Sequence, residues 1–310
     1  MKKLRNIPTF VAVFILTVTF SLSAQTAPYF TGSLLWKISG NGLEKPSYIM
    51  GTHHAAGLSI LNSINGLDGI MNDAEQMVGE LLMSDQMALA MEIQKAAILP
   101  DEYDYKNMMT EEEYATLDSA LIATVGVGMN QFQRMKPGMI SMMFTLSIMK
   151  KAMPDVDMSV SMDGYFQQFA GNKRKPILGL ETVQDQINVL FEAHPYEEQV
   201  RNLLCMLNHQ DIQLNMAREL NEYYAAADLK GIDDMMKKYK EMDNICPLVS
   251  SDDNFMNMLN KERNDKWLLK LPSIMNDKSN FIAVGALHIT GEDGLLYQLH
   301  KMGYTVEAVK

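Results

Sequence analysis

Two histidines near opposite ends of the chain follow the same pattern: an apolar, strand-like run, a glycine, and the histidine three residues later. The first motif runs from Tyr48 to His54 and the second from Phe281 to His288. An apolar run that ends on a glycine is typical of a buried strand that turns sharply. In open α/β sheets ligands bind at the carboxyl ends of the strands, so we expect the two imidazoles to meet there.

Two glutamates stand at the ends of two further apolar runs. Glu80 follows residues 77–79 and Glu181 follows residues 177–180. Two imidazoles and one carboxylate form a common ligand set for a catalytic divalent cation that keeps one position open for water. Such a cation would lower the pKa of the water and supply hydroxide at neutral pH. The second carboxylate is then available as a general base or to orient a ligand histidine.

Each of these residues also has a purely structural interpretation. A single glutamate or histidine at a strand end is more often a helix cap or a solvated loop residue. Four residues in matching contexts favour a site. Covalent catalysis is disfavoured, because no serine lies in a Gly-x-Ser-x-Gly motif and neither cysteine has the context of a thiol nucleophile. The turn at 291–294 carries two acids and no lysine, which argues against a phosphate-binding loop.

The first 24 residues have the composition of a secretory signal peptide. Three positively charged residues precede an apolar run over 10–22, which ends in small residues at Ala24. No later run reaches the roughly 18 apolar residues of a membrane span. Removing three positive charges changes the formal net charge of the chain from −11 to −14. An acidic chain without a basic stripe is not expected to bind nucleic acid.

Cys205 and Cys246 are the only two cysteines in the chain. In an exported protein an even pair suggests one disulfide, and the alternative is two small buried thiols. The sequence leaves these two possibilities open.

Methionine is used heavily, with 27 residues, many of them between 83 and 162. One interpretation is a pliable groove for a peptide or another apolar ligand, and the other is a helical core in which methionine replaces leucine. We favour the core.

The pattern of elements is strands at both ends of the chain and helices between them. We predict a hairpin of residues 33–39 and 47–51 across Asn41 and Gly42. Helices are predicted over 60–76, 85–98, from Thr110, from Pro137, over 163–170, 183–239 with breaks near Pro195 and Gly231, 253–275 and 294–302. A loop is predicted over 101–106, and further strands at 76–81, 177–181, 281–285 and 304–309. We favour one large domain, because the two histidine motifs must meet.

Four stretches of this sequence resemble the TraB/GumN family, which includes the Tiki metalloproteases that cut a short N-terminal segment from secreted Wnt proteins. The stretches are Gly51-Thr52-His53-His54, Gly179 to Gln186, Lys261-Glu262-Arg263-Asn264, and Val284 to Leu296. They occur in the family's order and span nearly all of residues 25–310, which we expect to form one TraB/GumN-like domain.

The resemblance implies an α/β fold, with a mixed central sheet flanked by helices and a large helical insertion in the middle. It also implies a metal-dependent hydrolase with His54, Glu80 and His288 as metal ligands. Glu181 is the next acidic candidate, and Arg263 matches the family's arginine, which could hold a substrate carboxylate or a developing oxyanion. The structural alternative for Arg263 is a solvated helix surface rich in charge.

His53 stands where the family more often has an apolar or small residue. One interpretation is that His53 hydrogen-bonds to a metal ligand without binding the metal itself. The other is that its presence leaves open which of the two neighbouring histidines binds the metal. Manganese, cobalt and zinc all accept this donor set.

The function expected from these features is an exported, periplasmic or secreted hydrolase that cleaves peptide or amide bonds with metal-activated water. One alternative is a non-catalytic protein that binds haem or a peptide in the same pocket. Another is an ester hydrolase related to the erythromycin esterases. The expected partner is a peptide or protein substrate, and the sequence does not indicate an oligomeric state.

Overall fold

The computed structural model describes residues 29–83, 86–240 and 257–310. In these ranges the strands are Leu35–Gly40 (β1), Ser47–Thr52 (β2), Gln76–Gly79 (β3), Ile177–Gly179 (β4), Asn280–Gly285 (β5) and Tyr304–Ala308 (β6). The helices are Leu67–Asp73 (α1), Gln86–Ala96 (α2), Tyr105–Met108 (α3), Glu111–Val125 (α4), Pro137–Ala152 (α5), Met162–Asn172 (α6), Val183–Phe191 (α7), Tyr196–Asn208 (α8), Gln210–Ala225 (α9), Leu229–Lys240 (α10), Glu262–Leu268 (α11), Leu271–Asp277 (α12) and Leu295–Lys301 (α13).

The six strands form one mixed sheet in the order β4-β3-β5-β2-β1-β6. Strands β4, β3, β5 and β2 are parallel, and β1 pairs antiparallel with both β2 and β6. The expected α/β fold and the hairpin across Asn41 and Gly42 are therefore confirmed. The parallel strands end at one edge of the sheet, and β5 lies between β2 and β3. The two histidine motifs and the two glutamates follow strands of this parallel group.

Close packing at the strand ends explains why the first motif has a glycine. A Cβ atom at Gly51 would lie 2.6 Å from Cδ1 of Ile289 and 3.3 Å from the backbone of Ala286, both in the turn that follows β5. A side chain there would push the second histidine motif away from the first, since well-packed interiors tolerate extra atoms poorly. The glycine therefore allows the two motifs to approach.

One group of helices forms a second body beside the sheet, whereas others, such as α6, pack on the sheet itself. α5 packs against α4, α8 and α9, and α2 packs against α7. This body has its own apolar core, separate from the core under the sheet, and Met129 and Phe144 are among its buried side chains. Further methionines pack around it, as the core interpretation predicts. Local signals set its boundaries: Thr110 and Glu113 form a capping box at the start of α4, and Pro137 opens α5.

Several predicted boundaries are wrong. Residues 60–76 form a 3₁₀ turn (Leu58–Ser63) and then α1, because Gly66 adopts a left-handed φ of +74° between them. The described part of the helix expected over 253–275 is a π-helical turn (Asn257–Lys261) followed by α11 and α12, with Pro272 in the first turn of α12.

Two shorter corrections concern local turns. Residues 101–106, expected to be a loop, contribute to the short helix α3. Gly231 lies inside α10, and the break expected there comes earlier, where Ala227 has a φ of +53°.

Some expectations concern residues that lie outside the described ranges. These are the signal peptide over 1–24, Cys246, and the first residues of the helix expected from 253. The disulfide between Cys205 and Cys246 and the single-domain boundary at 25–310 stay predictions. Within the described ranges, no helix combines the length and apolar character needed to cross a bilayer.

Candidate active site

The parallel edge of the sheet brings together five of the residues predicted from the sequence. Glu80 directly follows β3, Glu181 lies two residues after β4, and His288 lies in the turn after β5. Arg263 reaches them from α11, and His54 follows β2 close enough for its charge to act on Glu80 and Arg263. Residues that are 234 positions apart in sequence thus share one site.

Arg263 is the centre of a buried charged group that we call the arginine cluster, made of Glu80, Glu181, Arg263 and His288. Its Nε donates to Oε2 of Glu181 at 3.0 Å and its Nη2 to Oε1 of the same carboxylate at 2.6 Å. Nη2 also donates to Oε2 of Glu80 at 2.6 Å. Only 12% of the Arg263 side chain is exposed, so the guanidinium neutralises its partners away from water. The alternative interpretation of Arg263 as a solvated surface residue is therefore wrong.

The remaining contacts of Arg263 fix its position. Nη1 donates to Nε2 of His288 at 2.9 Å and to the carbonyl of Leu259 in the π-helical turn at 3.1 Å. The guanidinium carbon lies 4.9 Å from the ring centroid of Trp267. Burial opposes the positive charge of Arg263, but Glu181 and Glu80 outweigh it and raise the pKa of the guanidinium. Arg263 therefore carries a positive charge at neutral pH.

Glu80 is held from two sides. Its Oε1 accepts from the backbone N–H of Gly285 at 2.7 Å, while Oε2 faces Arg263. Burial opposes ionisation of Glu80, but the charge of Arg263 and the hydrogen bond from Gly285 favour the carboxylate, and its pKa lies below the ordinary value. Glu80 is therefore an anion at neutral pH and a weak base.

His288 is a neutral imidazole whose tautomer follows from its partners. A guanidinium can only donate, so Nε2 of His288 accepts from Arg263 and Nδ1 carries the proton. Nδ1–H donates to Oδ1 of Asn264 at 2.8 Å, and Asn264 in turn donates to two backbone carbonyls. Trp267 packs on the ring, with the two centroids 4.4 Å apart. Burial lowers the pKa of His288 to about 4, and the charge of Arg263 adds to this effect.

His54 differs from His288 because its ring faces solvent, with 66% of the side chain exposed. Its Nδ1 lies 3.0 Å from Oδ2 of Asp163, whose other oxygen accepts from the hydroxyl of Thr52 at 3.1 Å. The hydrogen bond to Asp163 raises the pKa of His54 to about 9, against a smaller opposing effect of desolvation. We call these two residues the His54–Asp163 pair.

Asp163 was not predicted from the sequence. It lies in the first turn of α6, after the cap residue Ser161, and contacts His54 across 109 positions. An aspartate in the first turn of a helix is commonly explained by its favourable interaction with the helix N-terminus. No pattern in the chain marked it as a partner of His54.

His53 lies behind the site, packed against Tyr224 with the ring centroids 5.2 Å apart. Its Nδ1 accepts from the backbone N–H of Ala55 at 3.0 Å, and Nε2 has no hydrogen-bond partner among the described residues. Burial, followed by the charge of His54, lowers the pKa of His53 to about 4. His53 therefore supports the loop after β2. Within the described ranges, it forms no hydrogen bond to a member of the arginine cluster.

The donor set of the predicted metal site has suitable chemistry but a different arrangement. In both His54 and His288 a side-chain partner holds Nδ1, which leaves Nε2 as the donor nitrogen, and this is how proteins orient metal-binding histidines. Nε2 of His288 lies 3.9 Å from Oε1 of Glu80. Across the described ranges, however, no three His, Cys, Asp or Glu side chains form a group that could hold an ion. In this arrangement Arg263 bridges His288 and Glu80.

Compared with known protein families, the chain matches the TraB/PrgY/gumN family over residues 34–308. Searches of curated proteins and of solved structures give no significant match.

Proposed function

Because the chain belongs to the TraB/PrgY/gumN family, we propose that it is an exported hydrolase that cleaves a peptide or related amide bond at the parallel edge of its sheet. The observation that carries the proposal is the meeting of two imidazoles, two carboxylates and one guanidinium in a site open to solvent on the side of His54. In hydrolases, imidazoles and carboxylates commonly activate a water molecule, and a guanidinium commonly stabilises the negative charge that develops after its attack.

The histidines have their proton positions fixed by the surrounding chain. Asp163 holds Nδ1 of His54 and Asn264 holds Nδ1 of His288, so Nε2 of each ring is left to act in the site. His54 is the more accessible of the two and contacts an incoming substrate first. Without a bound cation, His54 holds a proton at neutral pH.

Arg263 is placed to stabilise negative charge. Its positive charge lies in a buried setting, where electrostatic interactions are stronger than in water. Glu181 holds the guanidinium through two of its N–H groups, and Gln186 donates to Glu181 at 2.8 Å and keeps the carboxylate in place. Glu181 is therefore a positioning residue for Arg263 in this proposal, with Arg263 facing the oxyanion.

The divalent cation is part of the proposal, and His54, Glu80 and His288 are the residues that would hold it. When bound, such an ion supplies hydroxide at neutral pH and polarises the scissile carbonyl. Manganese, cobalt and zinc all suit two imidazoles and a carboxylate.

Metal analysis and a cleavage assay test this function together. Purified wild-type protein is expected to carry a divalent metal and to cleave members of a peptide library, and a chelator should stop the cleavage. His54→Ala and His288→Ala should each lose metal and cleavage, while His209→Ala, at the junction of α8 and α9, should keep both. Full metal occupancy in both site variants would refute the proposed ligands.

A second candidate is an ester hydrolase that needs no metal, and the arginine cluster favours it. Arg263 already occupies Nε2 of His288 and one oxygen of Glu80, so the His54–Asp163 pair is the free acid–base group of the site. In this case ester cleavage would persist in the presence of chelator and rise with pH toward about 9, as His54 loses its proton. A profile that is flat above pH 7 would exclude this candidate.

A further inference from the structure

Strand β4 forms one edge of the sheet and ends at the candidate site. Among the described strands it pairs only with β3, so its other side is open. Leu178 is 40% exposed, and Gly179 is also exposed. The pairing of the two strands continues past their ends, because the N–H of Glu181 donates to the carbonyl of Glu80 at 3.0 Å. The open edge therefore leads directly to two carboxylates of the site.

The backbone of β4 presents hydrogen-bonding groups along this edge. In a parallel pair of strands, successive residues turn their N–H and C=O groups alternately to one side and the other. The carbonyl of Pro176 accepts from β3 and the N–H of Leu180 donates to β3, both at 2.9 Å. Ile177 and Gly179 therefore turn their groups to the open side, where these groups have no hydrogen-bond partner within the described ranges.

Apolar side chains flank the edge on both faces of the sheet. Successive side chains of a strand point to opposite faces, so Leu178 and Gly179 belong to different faces. A Cβ atom at Gly179 would lie 2.9 Å from the backbone nitrogen of Leu82, which places Leu82 on the face opposite to Leu178. Leu82 is 47% exposed. A peptide strand added to β4 would thus meet a leucine on each face.

The other edge of the sheet differs in each of these respects. That edge is β6, which pairs antiparallel with β1 and carries Glu307, whose carboxylate pairs with Lys37 at 3.4 Å. Charged side chains on an edge strand discourage pairing with another chain. β4 contains no charged residue, and β1 separates β6 from the parallel strands that carry the site. The uncharged edge is therefore the one beside the site.

We propose that β4 binds the substrate as an added strand, in which an extended peptide segment pairs with the backbone of Ile177 and Gly179 and places an apolar side chain beside Leu178. This binding mode rests on the proposed function and names its substrate class as an extended, apolar peptide. A peptide fits the edge because its N–H and C=O groups repeat at the spacing of a strand.

Strand geometry sets the distance between the bound segment and the cleaved bond. Neighbouring strands lie about 4.8 Å apart, and one extended residue spans about 3.3 Å. Glu80 follows β3, which is two strand spacings from an added strand. The bond to be cleaved is therefore expected roughly three residues beyond the segment on β4.

The first experiment adds a blocked decapeptide of alternating valine and threonine to full-length protein with isotope-labelled isoleucine, leucine and glycine. In NMR spectra the amide signals of Ile177 and Gly179 should shift, whereas that of Leu178, which faces β3, should shift much less. N-methylation of all valines or of all threonines in the probe should abolish these shifts in one case only, because alternate residues face β4. No shift at Ile177 and Gly179, or an equal shift at Leu178, overturns the proposal.

Cleavage kinetics test whether the edge serves the site. For library peptides that the wild type cleaves, Leu178→Asp should raise KM at least about tenfold with little change in kcat, the signature of lost uniform binding. Leu146→Asp on α5 is the matched control, since Leu146 is 50% exposed, and it should change neither constant. Ile177→Pro removes an outward N–H and should also raise KM, whereas Ile177→Val should not. Circular dichroism checks folding, and if the proline variant does not fold, Leu178→Asp and the methylated probes decide.

The outcomes distinguish the edge from the proposed function. An unchanged KM in Leu178→Asp overturns binding of the substrate at β4 while the hydrolase stands. Probe binding at Ile177 and Gly179 without cleavage of any library peptide overturns the hydrolase, while peptide binding at the edge stands. Absence of both probe binding and cleavage overturns both.

Discussion

The arginine cluster and the His54–Asp163 pair lie at the same edge of the sheet but differ in how far their charged groups are exposed to solvent. In the cluster, four groups that are 6 to 12% exposed satisfy one another through Arg263. In the pair, one carboxylate holds an imidazole that is 66% exposed. The cluster therefore provides a fixed electrostatic field, and the pair provides the group that meets the solvent and the substrate.

The contrast is also visible in the two histidines. Burial makes His288 a neutral ring with a pKa of about 4, whereas Asp163 makes His54 a charged ring with a pKa of about 9. Groups whose pKa values are pushed apart in this way are characteristic of sites that carry out acid–base chemistry.

Breaking the arginine cluster should have the largest effect. Glu181→Ala removes the carboxylate that binds Arg263 twice, and loss of one partner in a buried ion pair costs about 3 to 5 kcal/mol. Urea unfolding at neutral pH measures this change. Asp101→Ala, which removes the exposed partner of Arg134, should leave the midpoint unchanged. Equal midpoints for the two variants would mean that the cluster is not a buried ion network.

Acid should destabilise the protein through the neutral buried histidines. The folded pKa of His53 is about 4, below the unfolded value of about 6.5, so the unfolded state takes up protons first as the pH falls. This stability is complete above pH 6.5 and is lost as the pH falls toward 4, by up to about 3 kcal/mol for this ring. His53→Phe should flatten the pH dependence of urea unfolding between pH 6.5 and 4. An unchanged slope would show that His53 is not buried and neutral.

His54→Ala and His288→Ala should differ in stability although both should lose activity. His288→Ala removes one buried hydrogen-bond partner from Asn264 and one from Arg263, and it should lower stability by about 2 to 3 kcal/mol. His54→Ala removes an exposed ring and should change stability by less than about 0.5 kcal/mol. Both should lose cleavage. Thermal unfolding and the peptide assay decide this, and equal destabilisation by both variants would remove the distinction between the cluster and the pair.

Asp163→Asn is also expected to change stability little. The imidazole of the pair is exposed, so the ion pair contributes less than about 1 kcal/mol and the fold should be nearly unaffected. The pKa of His54 should nevertheless fall from about 9 toward the ordinary value near 6.5, because the hydrogen bond to Asp163 is the main cause of the shift. NMR titration of the labelled His54 ring measures this, with Asp157→Asn as the control. A His54 pKa that stays near 9 would show that Asp163 does not cause the shift.

Much of the fold follows from local signals that are readable in the sequence. The glycines in the last two residues of β2 and β5 and the capping box at Thr110 each act over a few residues, and the structure has them where the pattern predicts. Pro272 was equally readable as a helix start, and the unbroken helix predicted through it ignored a local rule. Gly66 broke the helix predicted over 60–76 in the same way.

The site was predictable in composition but not in its contacts. Strand-end positions identified His54, Glu80, Glu181 and His288, because parallel strands end at one edge whatever their order in the chain. Asp163 was missed, since its role depends on where α6 packs relative to β2. His53 was considered beside His54, and only the packing against Tyr224 shows which way its ring faces.

The sequence by itself determined which residues could do chemistry, because apolar runs, glycines and caps specify strand ends through short-range sterics and hydrogen bonding. Only the tertiary structure decided which charges pair. Arg263 meets Glu80 across 183 positions and Glu181 across 82, and such contacts depend on strand order and helix packing that no local pattern encodes. Hydrogen bonds form within a few tenths of an ångström, so the pairing of this guanidinium is a property of the folded chain.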